Sequence, residues 1–146
     1  MSIPTPHERV QASFERQGLM THLGAQLVSV QPGCVEVALP YSERVTQQQG
    51  GFHGGAMGAL ADIACGYAAL TVAEPGLEVT TVEYKINFLA AFQSGELRAT
   101  GRVVRAGRRV IITQGEVKHH APDGTVSDCA VILATMAPVP NSKPAT

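Results

Sequence analysis

The chain has 146 residues, 45% of them hydrophobic and 16% charged, enough apolar material for one core and too little charge for a disordered polymer. Eleven Lys and Arg against twelve Asp and Glu leave a formal charge of −1 at pH 7. That balance argues against a general nucleic-acid binder and does little to keep two copies apart.

The first ten residues, MSIPTPHERV, hold two prolines and no apolar run, so no signal peptide is expected. The longest weakly polar stretch, Ala56 to Val72, carries Asp62 inside it and reads as too short and too polar at its middle to span a bilayer. Cys34, Cys65 and Cys129 are an odd set without a C-x-x-C pair, as expected of reduced thiols in a cytoplasmic protein. No repeat and no Pro/Gly/Ser-rich stretch divides the interior. Residues 1–146 therefore read as one domain, with 138–146 (PVPNSKPAT) a frayed tail.

From about Pro6 to Leu19 the chain is helix-like, with Val10, Phe14 and Gln17 or Gly18 sharing a face. Gly24–Gln31 and Cys34–Leu39 read as strands around the turn pair Pro32-Gly33, and Val35, Val37 and Leu39 alternate with Glu36 and Ala38. A loop spans Pro40 to Phe52. Gly54 to about Ala73 then contains no Lys, Arg or Glu, and its apolar residues cover every face. Such a helix must be buried on all sides, and in a chain this short only a sheet wrapped around it has the area. Material for that sheet follows. Val82, Tyr84, Ile86 and Phe88 alternate with Glu83, Lys85 and Asn87. Leu97–Arg105, Arg109–Ala121 and Val126–Ala137 are further strands, parted by Ala106-Gly107 and by the hairpin pair Asp123-Gly124. The predicted architecture is α+β: one antiparallel sheet curled round one long central helix, with a short N-terminal helix.

The glycine cluster at 50–58 lacks the dinucleotide fingerprint, and neither a P-loop nor a Gly-x-Ser-x-Gly elbow occurs. His119 and His120 are adjacent, so in a strand they face opposite ways and cannot chelate one metal from one side. No metal is expected. The informative stretch is Gln47-Gln-Gln-Gly50-Gly-Phe-His53-Gly54-Gly55, leading into the helix that carries Asp62. Glycines at a helix start leave N–H groups bare at the positive end of the dipole, which suits a carbonyl oxygen becoming an oxyanion. Tight packing of the helix on the sheet asks for the same glycines.

Asp62 is the only ionised group between Gly54 and Ala73. A buried carboxylate needs solvent, a partner or a substrate. At the floor of a pocket it is a base or nucleophile; a hydrogen-bonded core aspartate is the bland alternative. Gly54 and Asp62 are eight residues apart, about 12 Å along a helix. An oxyanion donor and an attacking group both sit about 3 Å from the reacting centre. If both act on one carbonyl, Asp62 must meet the Gly54 amide of another chain. The chemistry predicts a dimer with active sites at its interface.

The pattern Gln47-x-x-Gly50-x-x-His53-Gly54-Gly55-x(6)-Asp62, followed by a strand meander, resembles hotdog-fold thioesterases of the phenylacetic-acid-degradation (PaaI) type, over about residues 8 to 138. The resemblance implies an acyl-CoA thioesterase acting on an aryl- or short- to medium-chain acyl group, a homodimer or homotetramer, with no cofactor. By position it makes Asp62 the base or nucleophile and the Gly54 amide of the partner subunit the oxyanion hole, with Gly55 beside it on the substrate. Gln47 stands where the family commonly has an asparagine near the leaving group or water, and is one methylene longer. Thr81, or Thr80 one residue away, falls near a Ser/Thr that helps hold the water. His53 orients the loop or takes part in the chemistry.

Coenzyme A also brings phosphates. Arg98, Arg102, Arg105, Arg108 and Arg109 are five of the eight arginines, and no acid lies between Leu97 and Gly115. Arg108 and Arg109, with Arg105, are the expected phosphate ligands; a solvated hairpin face is the alternative. Phe52, Met57, Phe88 and Phe92 are plausible lining residues, with the core as their default place. Two other functions fit such a fold. Hydration or dehydration of an acyl thioester commonly uses Asp-x-Asn-x-x-His, and Gln48 and Gly50 precede His53 at the matching places. A non-catalytic acyl-CoA binder has no need of Asp62.

Overall fold

A computed structural model describes residues 2–142. Helix α1 (Pro6–Phe14) starts with Thr5 and Glu8 closing a reciprocal capping box and Pro6 in the first turn, and it buries Val10. The helix expected to run to Leu19 stops earlier. Gln17, in an extended conformation, opens a separate helix α2 (Gly18–Leu23), which ends on Gly24 at φ 77°. The break redirects the chain so that Met20 becomes buried, which a continuous helix on the face of Val10 and Phe14 would not achieve.

Six antiparallel strands follow: β1 (Gln26–Gln31), β2 (Cys34–Pro40), β3 (Leu77–Phe88), β4 (Glu96–Ala106), β5 (Ile111–His120) and β6 (Val126–Pro140). They form one sheet in the order β1-β2-β4-β5-β6-β3, so β3, made directly after the central helix, closes the far edge against β6. The expected α+β layout of a sheet wrapped around a helix is the observed one. Strand β6 runs through Pro140, where the sequence suggested a frayed tail from 138. Pro138 pairs with Val79 and Pro140 with Leu77 on β3, while pairing to β5 ends at Met136. The missing N–H groups of these prolines fall where the β5 side of the strand is already open. The rest of the expected tail, 143–146, lies outside the described residues.

Helix α3 (Gly54–Val72) lies in the concave face of the sheet and buries Leu60, Ala61, Ala64, Cys65, Ala68 and Ala69. Length does not exclude a bilayer span, as the sequence suggested it would. Its 19 residues are long and apolar enough, with mean hydropathy 1.4, and it is burial of 67% of that window inside the protein that accounts for its apolar faces. The sheet comes closest to α3 at Gly101 of β4. A side chain there would stand 2.4 Å from the Ala64 carbonyl, and its cross-strand neighbour Gly115 faces Cys65. Two facing glycines make the notch in which the helix sits.

Candidate active site

The loop before α3 is braced on all sides. His53 N–H donates to the Val45 carbonyl at 2.7 Å and Phe52 N–H to the Phe92 carbonyl at 3.0 Å. The Tyr41 hydroxyl donates to the Gly50 carbonyl at 2.6 Å, and its ring packs edge-on against Phe52. Phe92 in turn stacks on the buried ring of His119, 3.9 Å between centroids, and His119 Nε2 lies 2.7 Å from the Ser94 carbonyl. His119 and Phe92 are thus supports of this loop, a role that their sequence positions gave no sign of. Phe52 and Met57 belong to the core.

His53 is the N-cap of α3, and its Nδ1 accepts the Gly55 N–H at 2.7 Å. The Gly55 amide is therefore engaged within the loop. The Gly54 N–H has no acceptor among the described residues. Phe88 of β3 covers Gly54 so closely that a Cβ there would stand 3.3 Å from its ring. Gln47 is held in its own loop: its Oε1 accepts the Gln49 N–H, and its backbone N–H donates to the Gly51 carbonyl at 2.8 Å.

Asp62 lies two turns into α3, half-buried, in the wall of a cavity of about 300 Å³ bounded by α1, α2, α3 and β3. Thr81 Oγ1 donates to Asp62 Oδ1 at 2.7 Å. Of the two threonines on β3, Thr81 makes this bond. Thr80, whose partner on β6 is Ala137, also lines the cavity. The register shift between Thr81 and Glu83 turns Thr81 inward. Strict alternation back from Tyr84 and Ile86 points Thr80 at the helix; the extra residue, Val82, exchanges the two. Burial raises the Asp62 pKa above the ordinary carboxylate value, and the Thr81 bond opposes that rise. Such a group takes up a proton more readily than an ordinary exposed carboxylate.

The basic cluster separates into two sets. Arg98 pairs with Glu36 on β2 and with Glu96 two residues away on its own strand, and Arg102 with Glu116 on β5. Arg105, Arg108 and Arg109 have no ion pair among the described residues. Arg108 lines a separate cavity beyond the C-terminal end of α3, with Val72 and Leu77. Within one protomer the fold brings Asp62 and Thr81 together and groups His53, Gly54 and Gly55 at the helix start. It leaves Arg108 at the opposite end of a helix about 27 Å long. The residues missed from the sequence are Ser13, Gln17 and Tyr67, which share the Asp62 cavity. Ser13 reaches it from α1, and Gln17 stands at the break between α1 and α2. The three cysteines are free, and burial pushes the Cys65 and Cys129 thiols up to about 11.

Several proteins similar to this chain are described as thioesterases or as a CoA hydrolase. The thioesterase superfamily profile matches residues 49–124. A crystal structure of a thioesterase family protein from Silicibacter pomeroyi is 34% identical, covers 93% of this chain and 99% of its own, and superposes with a TM-score of 0.88. The 1,4-dihydroxy-2-naphthoyl-CoA hydrolase of Listeria monocytogenes is 35% identical over 91 residues, 62% of this chain and 74% of its own length. The E. coli PaaI protein, 21% identical with a TM-score of 0.80 over 94% of this chain and 95% of its own, shares the fold. The profile spans the helix N-terminus, Asp62 and Thr81 alike, and the chain belongs to the thioesterase superfamily as a thioester hydrolase of hotdog architecture.

Proposed function

We propose that the protein hydrolyses acyl-CoA thioesters in a homodimer or a dimer of dimers, with Asp62 of one protomer and the Gly54 N–H of its partner acting on the same carbonyl. The observation that carries this reading is Asp62 itself, a cavity-wall carboxylate oriented by Thr81 and raised in pKa by burial. In the base route Asp62 takes a proton from water as the water oxygen bonds to the thioester carbon. The Gly54 N–H stabilises the resulting oxyanion. Collapse breaks the C–S bond, and the thiolate of coenzyme A leaves with the proton returned by Asp62. In the nucleophile route the carboxylate bonds to the carbon first and the C–S bond breaks to release the coenzyme A thiolate. Water then hydrolyses the mixed anhydride, which regenerates the Asp62 carboxylate and supplies the proton of the thiol. Thr81 orients the carboxylate in either route.

A dimer is supported by spacing and by the sheet. Asp62 lies about 12 Å along α3 from Gly54, too far for both to reach one carbonyl within a protomer. Strand β3, which carries Thr81 and ends over Gly54, has a free edge among the described residues: it pairs there only with β6 and leaves Val82, Tyr84 and Phe88 exposed. The Gln47 amide is placed beside the leaving group, and His53 holds the loop by accepting the Gly55 N–H, so that Gly55 borders the substrate without offering its amide. Arg105, Arg108 and Arg109 supply cations for the coenzyme A phosphates, an expectation consistent with their lack of ion pairs.

Asp62→Asn is expected to lower free-thiol release from acyl-CoA by 10²- to 10⁴-fold, roughly the range for a lost acid–base group, in a chain that stays folded. Gly54→Pro removes the N–H at a position where a helix tolerates proline, after a residue already at ψ 135°. Each variant alone is inactive. Mixing the two regenerates roughly a quarter of wild-type turnover, because half of the reassorted dimers carry one intact site. Two inactive variants that stay inactive after subunit exchange would end the shared-site reading.

A further inference from the structure

Thr81 has one hydroxyl hydrogen and two acceptors in reach of it. Its Oγ1 lies 2.7 Å from Asp62 Oδ1 and 3.3 Å from the thioether sulfur of Met136. Met136 belongs to β6 and is the direct partner of Thr81 across the β3–β6 ladder, at the register shift that turns Thr81 inward. Its side chain is fully buried. The sulfur packs over Gly66, which follows Asp62 by one turn of α3; a Cβ there would stand 4.0 Å from it. Ile111 of β5 is its neighbour on the other side. A leucine would fill this place equally well, and of the two only methionine carries an acceptor.

In either hydrolytic route Asp62 is neutral at one stage, as an acid once it has taken the proton of water or as an anhydride once it has taken the acyl group. While charged, Asp62 is the stronger acceptor and holds the Thr81 hydrogen, with the sulfur drawing on the same hydrogen. Once Asp62 is neutral, its hold weakens and the sulfur takes the hydrogen. The Thr81 oxygen then stays beside Asp62 with its lone pairs turned to the acid proton. Both effects favour the neutral form, so Met136 offsets part of what Thr81 does to the carboxylate. Nearby, burial keeps the Tyr67 phenol and Cys65 thiol of α3 neutral by raising their pKa values. Glu78 of β3 is the other carboxylate lining the cavity. Among the described residues the α1–α2 segment, β5 and β6 place no charged side chain there. Replacing Met136 alters none of these groups.

We infer that Met136 is a positioning residue for hydrolysis: its thioether shares the Thr81 hydrogen while Asp62 is charged and takes it when Asp62 is neutral. The inference rests on the thioesterase site proposed above. The test is Met136→Leu, a volume-conserving change of the kind cores tolerate, alone and combined with Thr81→Ala. Acyl-CoA hydrolysis is followed against pH, and the Asp62 side-chain carboxyl carbon is titrated by NMR. Met136→Leu removes the competing acceptor and leaves the Thr81 hydrogen on Asp62. The acid limb of kcat and the NMR titration should therefore both move to lower pH, by about 0.3 of a pH unit, as for a weak hydrogen bond. Thr81→Ala should move them the other way. The plateau kcat should fall about twofold, because Asp62 becomes a weaker base. On the Thr81→Ala background the leucine should move neither readout, since no hydrogen remains to be shared. A purely packing role would change stability or KM and leave the titration in place. A limb that stays or moves upward in Met136→Leu, or a shift that persists without the Thr81 hydroxyl, would overturn the inference while leaving hydrolysis intact. A wild type that releases no thiol from acyl-CoA, or an Asp62→Asn chain that still does, would instead remove the proposed reaction and the inference with it.

Discussion

Strands β3 and β4 carry the same kind of alternating apolar pattern, yet the fold treats them in opposite ways. Strand β4 lies between β2 and β5, with Leu97 and Ala99 buried against α3 and Gly101 in backbone contact with it. Strand β3 buries none of its residues fully and leaves Val82 59%, Tyr84 43% and Phe88 50% exposed. One pattern is completed by neighbours within the chain; the other ends at a free edge. The residue placed on the reacting group follows that difference, because Thr81 belongs to the open strand, whereas the inward residues of β4 only pack and its Arg105 is placed on the distant phosphates. A site assembled from two copies needs such an unfinished edge, whereas the helix that holds Asp62 needs a closed cradle.

The contrast can be broken from either side, and Gly101→Ala attacks the closed strand. The new methyl would meet the backbone carbonyl of Ala64 at 2.4 Å, a contact that no rotamer relieves. A loss of about 3 kcal/mol or more in urea unfolding is expected. Val82→Asp attacks the open strand. In a two-fold dimer the added charge meets its own copy, so light scattering should find a single chain, and hydrolysis should fall by about 100-fold, the cost of one oxyanion donor. A Val82→Asp chain that remains dimeric and active would remove β3 from the interface.

Thr81→Ala tests whether the bulge directs chemistry. Turnover is expected to drop about tenfold, as for a lost hydrogen bond to a charged group, with Thr80→Ala near wild type. The acid limb of the rate profile should also move to higher pH in Thr81→Ala, because the Thr81 bond opposes the effect of burial on Asp62. An unmoved limb would separate Thr81 from the titrating group.

The smallest effect concerns stability. Burial raises the Asp62 pKa in the folded state, so the folded protein binds more protons than the unfolded chain between the two values. The carboxylate thus costs stability above its folded pKa, and the cost fades as pH falls toward the ordinary carboxylate range. Asp62→Asn should therefore be slightly more stable than wild type at neutral pH, with the difference shrinking on acidification. Urea titrations at several pH values would detect a gap of the wrong sign.

Much of this arrangement was legible in the residues. The α3 segment is apolar on every face, so it had to be wrapped, and Asp123-Gly124 had to turn a hairpin, with Gly124 at φ 91°. Asp62 was visible because one charge stood in an uncharged helix. Other features were not legible because they depend on contacts distant in sequence. The break at Gln17 follows from burial of Met20, and Pro138 and Pro140 join a strand only because β5 has already ended there.

The amino-acid order alone determined what must be covered and which group is out of place: a helix without a polar face, strands with period two, and one acid among small apolar residues. Those properties depend on side-chain chemistry and local periodicity, which are written in the chain itself. Tertiary structure decided which threonine meets Asp62, which strand remains open and which hydroxyls line the cavity. Each of these turns on a one-residue register shift or a helix break, and neither has an energy until the partner surface is in place.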